Sequence, residues 1–186
     1  MTKIDANQLK WIRKPERYIV RRDCVILETE PYTDLRGHRH GAEAVELSLK
    51  PDGYFMFTVR VDFSYQGKFD QCGILLYNGS RRKAVCCTKR RNEELDELDV
   101  IVFHGKYGDR SCREIGTAIR WMYYRVWYRA GAVRIQYSFN GRVYSDVRQF
   151  RMEERNGPIR IGIYACSPQD SRFDCTFSQM ELKEKR

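Results

Sequence analysis

The stretch "PDGYFMFTVRVDF", residues 51–63, shows the fold of this chain in its spacing. Pro51-Asp52-Gly53 is a turn signal, because proline presets φ and glycine tolerates the left-handed region. After it Phe55, Phe57, Val59, Val61 and Phe63 alternate with Tyr54, Met56, Thr58, Arg60 and Asp62. A period of two sends successive side chains to opposite faces of a strand, so one face is core and the other more polar. The same unit recurs along the chain. "FDQCGILLY" (69–77), "RRKAVCCT" (81–88), "DVIVFH" (99–104), "RIGIYAC" (160–166) and "FDCTFSQMELK" (173–183) are short β-rich runs ended by turn residues. Asn140-Gly141 stands between "VRIQYSF" and "RVYSDV" and predicts a hairpin closed by a type I′ turn. Helical signal is thin. "NEELDELD" (92–99) has only Leu95 and Leu98 as apolar anchors and is read as an exposed acidic loop beside the basic Lys89-Arg90-Arg91. Many short strands with regular turns predict an all-β chain, an antiparallel two-sheet sandwich.

The totals fit that picture. A chain of 186 residues fits one domain, residues 1–186, and is long enough to bury a full core without staples. Twelve Tyr, nine Phe and three Trp suit strands better than helices. The formal charge of +9 comes from basic residues spread along the chain, which favours acidic partners only weakly. No apolar run reaches the length of a membrane span, and "MTKIDANQLKWIRK" has no apolar core of a secretory signal. Seven cysteines, an odd number and several inside apolar runs, read as reduced small hydrophobes in a cytoplasmic protein.

The final strands are the most distinctive part of the chain. "IRIGIYACSPQDSRFDCTFSQMEL" resembles the C-terminal fingerprint of a concanavalin A-like family whose members are labelled "regulation of enolase" proteins or domains of unknown function. The resemblance rests on Gly162, Ala165, Cys166, Ser167, Pro168, Phe173, Thr176, Phe177 and Ser178. Upstream, "WIRKPERY" (11–18), "TEPYTD" (29–34), Asp70-Gln71 with Gly73, and "YYRVWYRAG" followed by "YSFNG" resemble further segments of the family in the same order. The resemblance implies a jelly-roll sandwich of the concanavalin A-like lectin and glucanase type, with one concave sheet on which many superfamily members bind sugars. The chain departs from the family where Arg81 and Cys87 replace an aromatic and an acid around Lys83, and where Arg110 replaces a tryptophan between Asp109 and Ser111. Two arginines in such places favour an anionic ligand.

A glucanase of this fold needs carboxylates alternating on one strand face, and the nearest run has Glu94 and Asp96 but Leu98 in the third place. No catalytic residue is therefore assigned. Cys166 and Cys175 sit in apolar context without a tied histidine, so they read as structural. In "RGHRHG" (36–41), His38 and His40 can share a face, but no spacing supplies a third metal ligand, and neither a metal nor a cofactor is assigned. "RWMYYRVWYR" (120–129) mixes cations and aromatics on both strand faces, which reads as sheet surface and disfavours nucleic acid. Gln71, Arg81, Lys83, Asp109 and Arg110 are expected to form a polar pocket in the concave cleft, with His38 and His40 at its rim and Gly73 leaving room for a ligand. The expected function is non-catalytic recognition of a carbohydrate or anionic small molecule. A carbohydrate-active enzyme and a regulatory protein-binding domain are the alternatives, and the oligomeric state is not specified.

Overall fold

The computed structural model describes residues 2–35, 45–79, 81–105, 107–152 and 157–185. In chain order its elements are β1 (Thr2–Lys3), a 3-10 turn at Ala6–Gln8, β2 (Lys10–Arg13), β3 (Tyr18–Arg21), β4 (Cys24–Glu28), β5 (Val45–Leu49), β6 (Tyr54–Phe63) and β7 (Gln71–Asn78). There follow β8 (Arg81–Arg90), β9 (Leu95–His104), β10 (Tyr107–Gly116), β11 (Trp121–Arg129), β12 (Ala132–Ser138), β13 (Ser145–Arg151), β14 (Ile159–Cys166) and β15 (Asp174–Lys185). They form two antiparallel sheets. An eight-stranded sheet runs β13-β12-β11-β6-β15-β4-β3, with β1 also on β15, and a seven-stranded sheet runs β10-β9-β8-β7-β14-β5-β2. This is the two-sheet jelly-roll sandwich. Among the described residues no helix is long and apolar enough to cross a membrane.

The alternation on β6 sets the core. Phe55, Phe57, Val59, Val61 and Phe63 are all buried against the facing sheet. On β11 the even residues Met122, Tyr124, Val126 and Tyr128 do the same. The seven-stranded sheet answers with Cys72, Ile74 and Leu76 on β7, Ala84 and Cys86 on β8, and Ile159, Ile161 and Ile163 on β14. At about 25 cal/mol per Å² of apolar area, this interface between the sheets is the main stabilising term.

The Cys166-Ser167-Pro168 corner ties the sheets together. The chain leaves β4 of the larger sheet through Thr29, and Pro31 bridges to Ser167. The hydroxyls of Thr29 and Ser167 lie 2.6 Å apart, and the Ser167 and Phe173 amides donate to Thr33 Oγ1 and Thr29 Oγ1. Thr29 and Ser167 are fully buried, so these bonds replace water that cannot reach them. Cys166 and Cys175 are buried and not disulfide-bonded, so the corner is scaffold.

Two local expectations need correction. Residues 95–104 are strand β9, not part of an acidic loop: the turn is confined to residues 91–94, where Asn92 Oδ1 accepts the Glu94 and Leu95 amides. The run Lys89-Arg90 opposite Asp96-Glu97 is a cross-strand pairing of unlike charges, which helical or loop templates do not register. The Asn140-Gly141 connection is not a two-residue turn. β12 ends at Ser138 and β13 starts at Ser145, and Gly141, at φ 71°, lies against the Tyr123 ring.

Gly73 and Gly162 serve close strand approach rather than ligand space. A Cβ on Gly162 would meet the Leu47 carbonyl and sit 2.7 Å from Ser48 Cα; one on Gly73 would meet the Cys86 carbonyl and sit 2.7 Å from Cys87 Cα. We expect Gly162→Ala to force β5 and β14 apart at a cost of about 2–3 kcal/mol. Thermal unfolding should show a melting temperature lower by roughly 5–10 °C.

Candidate functional site

In a two-layer sandwich the outer face of each sheet is left to solvent, so charged side chains that are nonetheless buried there mark a built surface. The seven-stranded sheet has such a face. Register places Gln71, Gly73, Leu75 and Tyr77 of β7 beside Val85, Cys87 and Lys89 of β8, and beside Tyr164 and Cys166 of β14. β9 contributes Glu97, Asp99, Ile101 and Phe103, and β10 contributes Gly108, Arg110, Cys112 and Glu114.

The face has two parts. Towards its centre Leu75, Tyr77, Val85, Cys87, Ile101, Tyr164 and Cys166 form a second apolar cluster that includes Leu35 from the crossover. Gln71 closes it: its Oε1 accepts from the Tyr164 hydroxyl at 3.3 Å and lies 3.7 Å from Cys87 Sγ, while its Nε2 donates to the Phe69 carbonyl. Burial pushes the Tyr164 hydroxyl and the Cys87 thiol well above their ordinary ranges, so both stay protonated at neutral pH. A thiol in that state is a poor nucleophile.

Beside this cluster is a network of charges. Lys89 Nζ lies 2.7 Å from Asp99 and 3.4 Å from Glu97. Arg110 donates from Nε to Asp99 at 2.9 Å and from Nη2 to Glu97 at 2.6 Å. Arg91 adds a 3.1 Å contact to Glu97. The carboxylates are nearly buried, with side chains 7% and 2% exposed, whereas Arg110 is 35% exposed and reaches towards solvent. β8, β9 and β10 supply Lys89, the two acids and Arg110, and Arg91 joins them from the turn after β8.

The sequence-derived candidates divide. Gln71 and Arg110 lie on this face. Asp109 does not: it neighbours Arg110 on β10 and so faces the other way, pairing with Arg148 of β13, which also donates to Ser111 Oγ and latches the edges of the two sheets. Arg81 is in β8 opposite Asn78, at the far end of β7 from Gln71. A bulge skips Lys83, leaving Arg82 opposite Tyr77. The side chains of Arg81 and Lys83 lie outside the described residues, as do His38 and His40. Sequence reasoning missed Lys89, Glu97, Asp99 and Tyr164. The signal for three of them was the basic run followed by Glu97-Leu98-Asp99, which becomes a face only once β9 is recognised as a strand. The outward positions then read Glu97, Asp99, Ile101, so the third acid of a glucanase triad is still lacking. Among the described residues no group of three His, Cys, Asp or Glu converges as a metal site.

Comparison with known proteins agrees with this architecture. The model of the family described as "Protein of unknown function (DUF1349)" matches residues 11–185. Regulation of enolase protein 1 of Saccharomyces cerevisiae is 27% identical over 188 residues, covering 96% of this chain and 90% of the relative. A crystal structure of a functionally unknown protein from Saccharomyces cerevisiae superposes with a TM-score of 0.84 at 24% identity, covering 98% of this chain and 99% of that one. A legume lectin-like domain from Entamoeba histolytica superposes with a TM-score of 0.63 at 14% identity, covering 97% and 91%.

Two outcomes are expected. Asp99→Ala leaves Lys89 without its closest anion and should cost about 3 kcal/mol in urea unfolding, the lower end for a broken buried pair because Arg110 keeps Glu97. In the native protein at pH 8 a thiol reagent should label exposed Cys112 quickly, half-buried Cys24 slowly and the five buried cysteines only after unfolding.

Proposed function

The chain belongs to the DUF1349 family, and from that premise we propose that it is a non-catalytic recognition module taking a carbohydrate or related polar metabolite on the outer face of its seven-stranded sheet. The observation behind this reading is the network of Lys89, Glu97, Asp99 and Arg110, held beside the apolar cluster around Tyr164. Vicinal hydroxyls accept from donors placed side by side, and the Arg110 guanidinium, 35% exposed and held from beneath by the nearly buried Glu97 and Asp99, presents such donors. Because these cations are engaged by acids of the chain itself, the network suits a neutral polyol better than the anion suggested by arginine content alone.

The lectin-like superposition is compatible with this reading through the fold it shares. Arg81, Lys83, His38 and His40 are proposed to contribute at the edge of the same face. Seven unbridged cysteines support placement in the reducing cytoplasm.

Thermal-shift screening against neutral and acidic mono- and oligosaccharides tests the reading. A cognate sugar at about 100 times its Kd adds about 2.7 kcal/mol, a rise of roughly 5–10 °C in melting temperature. Arg110→Gln should lower that rise while leaving the apo melting temperature within a few degrees. Silence across both sugar sets would remove the carbohydrate reading.

A further inference from the structure

The opposite surface, the outer face of the eight-stranded sheet, has a different chemistry. On β11 the odd residues Trp121, Tyr123, Arg125, Trp127 and Arg129 point outward, while the intervening residues from Met122 to Tyr128 are core. Burial thus separates two faces that the sequence shows as equally mixed, and it gathers the aromatics and cations onto one. Trp121 and Trp127 are each 42% exposed, and Phe139 is 45% exposed. Both indole N–H groups are already bonded, Trp121 to the Phe139 carbonyl at 2.9 Å and Trp127 to Gln136 Oε1 at 3.1 Å. The rings are therefore fixed, and what they present to a partner is their π-surface. Between them the Arg125 guanidinium lies 3.5 Å from the centroid of the Tyr144 ring, with its Nε on Thr58. Arg129 lies over Tyr54 at 5.6 Å. Arg60 sits over Trp121 and Tyr123 while forking Asp62, and Arg134 forks Asp146. Among the described residues Arg125 and Arg129 are thus braced by aromatic rings rather than by carboxylates, which leaves their charge to act outward.

We propose that this face binds single-stranded nucleic acid, with bases stacked on Trp121 and Trp127 and the phosphate backbone drawn by Arg125 and Arg129. Fixed aromatic planes interleaved with cations on an open sheet are what such a strand requires, because every base has a π-face and every link a negative charge. The two tryptophans are six residues apart on one strand, about 20 Å, which spans several nucleotides rather than one small ligand. The formal charge of +9 adds long-range attraction for the same partner. A neutral polysaccharide would use the rings but not the ring-braced arginines.

The test is anisotropy of a fluorescein-labelled 12-nucleotide oligouridylate titrated with the intact protein, alongside intrinsic fluorescence, since two of the three tryptophans lie on this face. Binding is expected with quenching of that fluorescence and with affinity that falls as salt rises. Trp121→Ala and Trp127→Ala should each weaken it about 10-fold, and Trp127→Phe much less. Arg125→Gln should weaken it and flatten the salt dependence. Unchanged melting temperatures would show that the variants fold, and Arg160→Gln, exposed on β14 of the other sheet, should bind like the parent. No binding at 50 mM salt overturns the proposal. Binding indifferent to the tryptophan variants, or equal quenching by a neutral glucan, overturns it as well.

Discussion

Everything in this molecule depends on the contact between two sheets that each have a greasy inner face. Strand β6, with Phe55, Phe57, Val59, Val61 and Phe63 all pointing inward, lies between β11 and β15 in the larger sheet and supplies the core facing the smaller one. Neither sheet could exclude water from that face alone. Once they pack, register is fixed, because a slip of one residue would turn every core side chain outward. The buried hydroxyl pair of Thr29 and Ser167 then fixes where the chain crosses from one sheet to the other.

The same constraint explains why the two outer faces differ. Strands β7 and β14 are buried on both sides, with Ile74 and Ile163 inward and Leu75 and Tyr164 outward. Polar groups buried in such a sheet cost less when paired, and here Gln71 joins the Tyr164 hydroxyl and the Cys87 thiol while Lys89 and Arg110 pair with Glu97 and Asp99. The larger sheet has one buried face, and its aromatic residues on β11 stand partly in water. One surface is a satisfied polar network and the other a row of fixed rings with cations among them.

How much of this was legible depended on the range of the interaction. The alternation on β6 needs only neighbouring residues, and it identified the inner face correctly; on β11 it sorted the residues into two faces, and burial decided which of them is core. The resemblance of the last two strands identified the family through Gly162, Ser167 and Phe177, residues whose roles are steric or buried. Charge pairing across β8 and β9 was missed, because "NEELDELD" resembles a solvated loop until Lys89 and Arg90 are seen opposite Glu97 and Asp96. Gly73 was read as an opening for a ligand, although its lack of a side chain serves the approach of β8.

The sequence by itself determined that the chain is all-β and that the alternation along β6 puts its phenylalanines and valines on one inner face. Those follow from local periodicity and composition, which every residue reports about itself. Only the tertiary structure decided that Asp109 and Arg110 serve opposite faces, that Glu97 and Asp99 share two cations, and that Trp121 and Trp127 stand in the open. Which strands become neighbours sets which charges meet and which rings are covered, and that information lies in packing between segments distant along the chain.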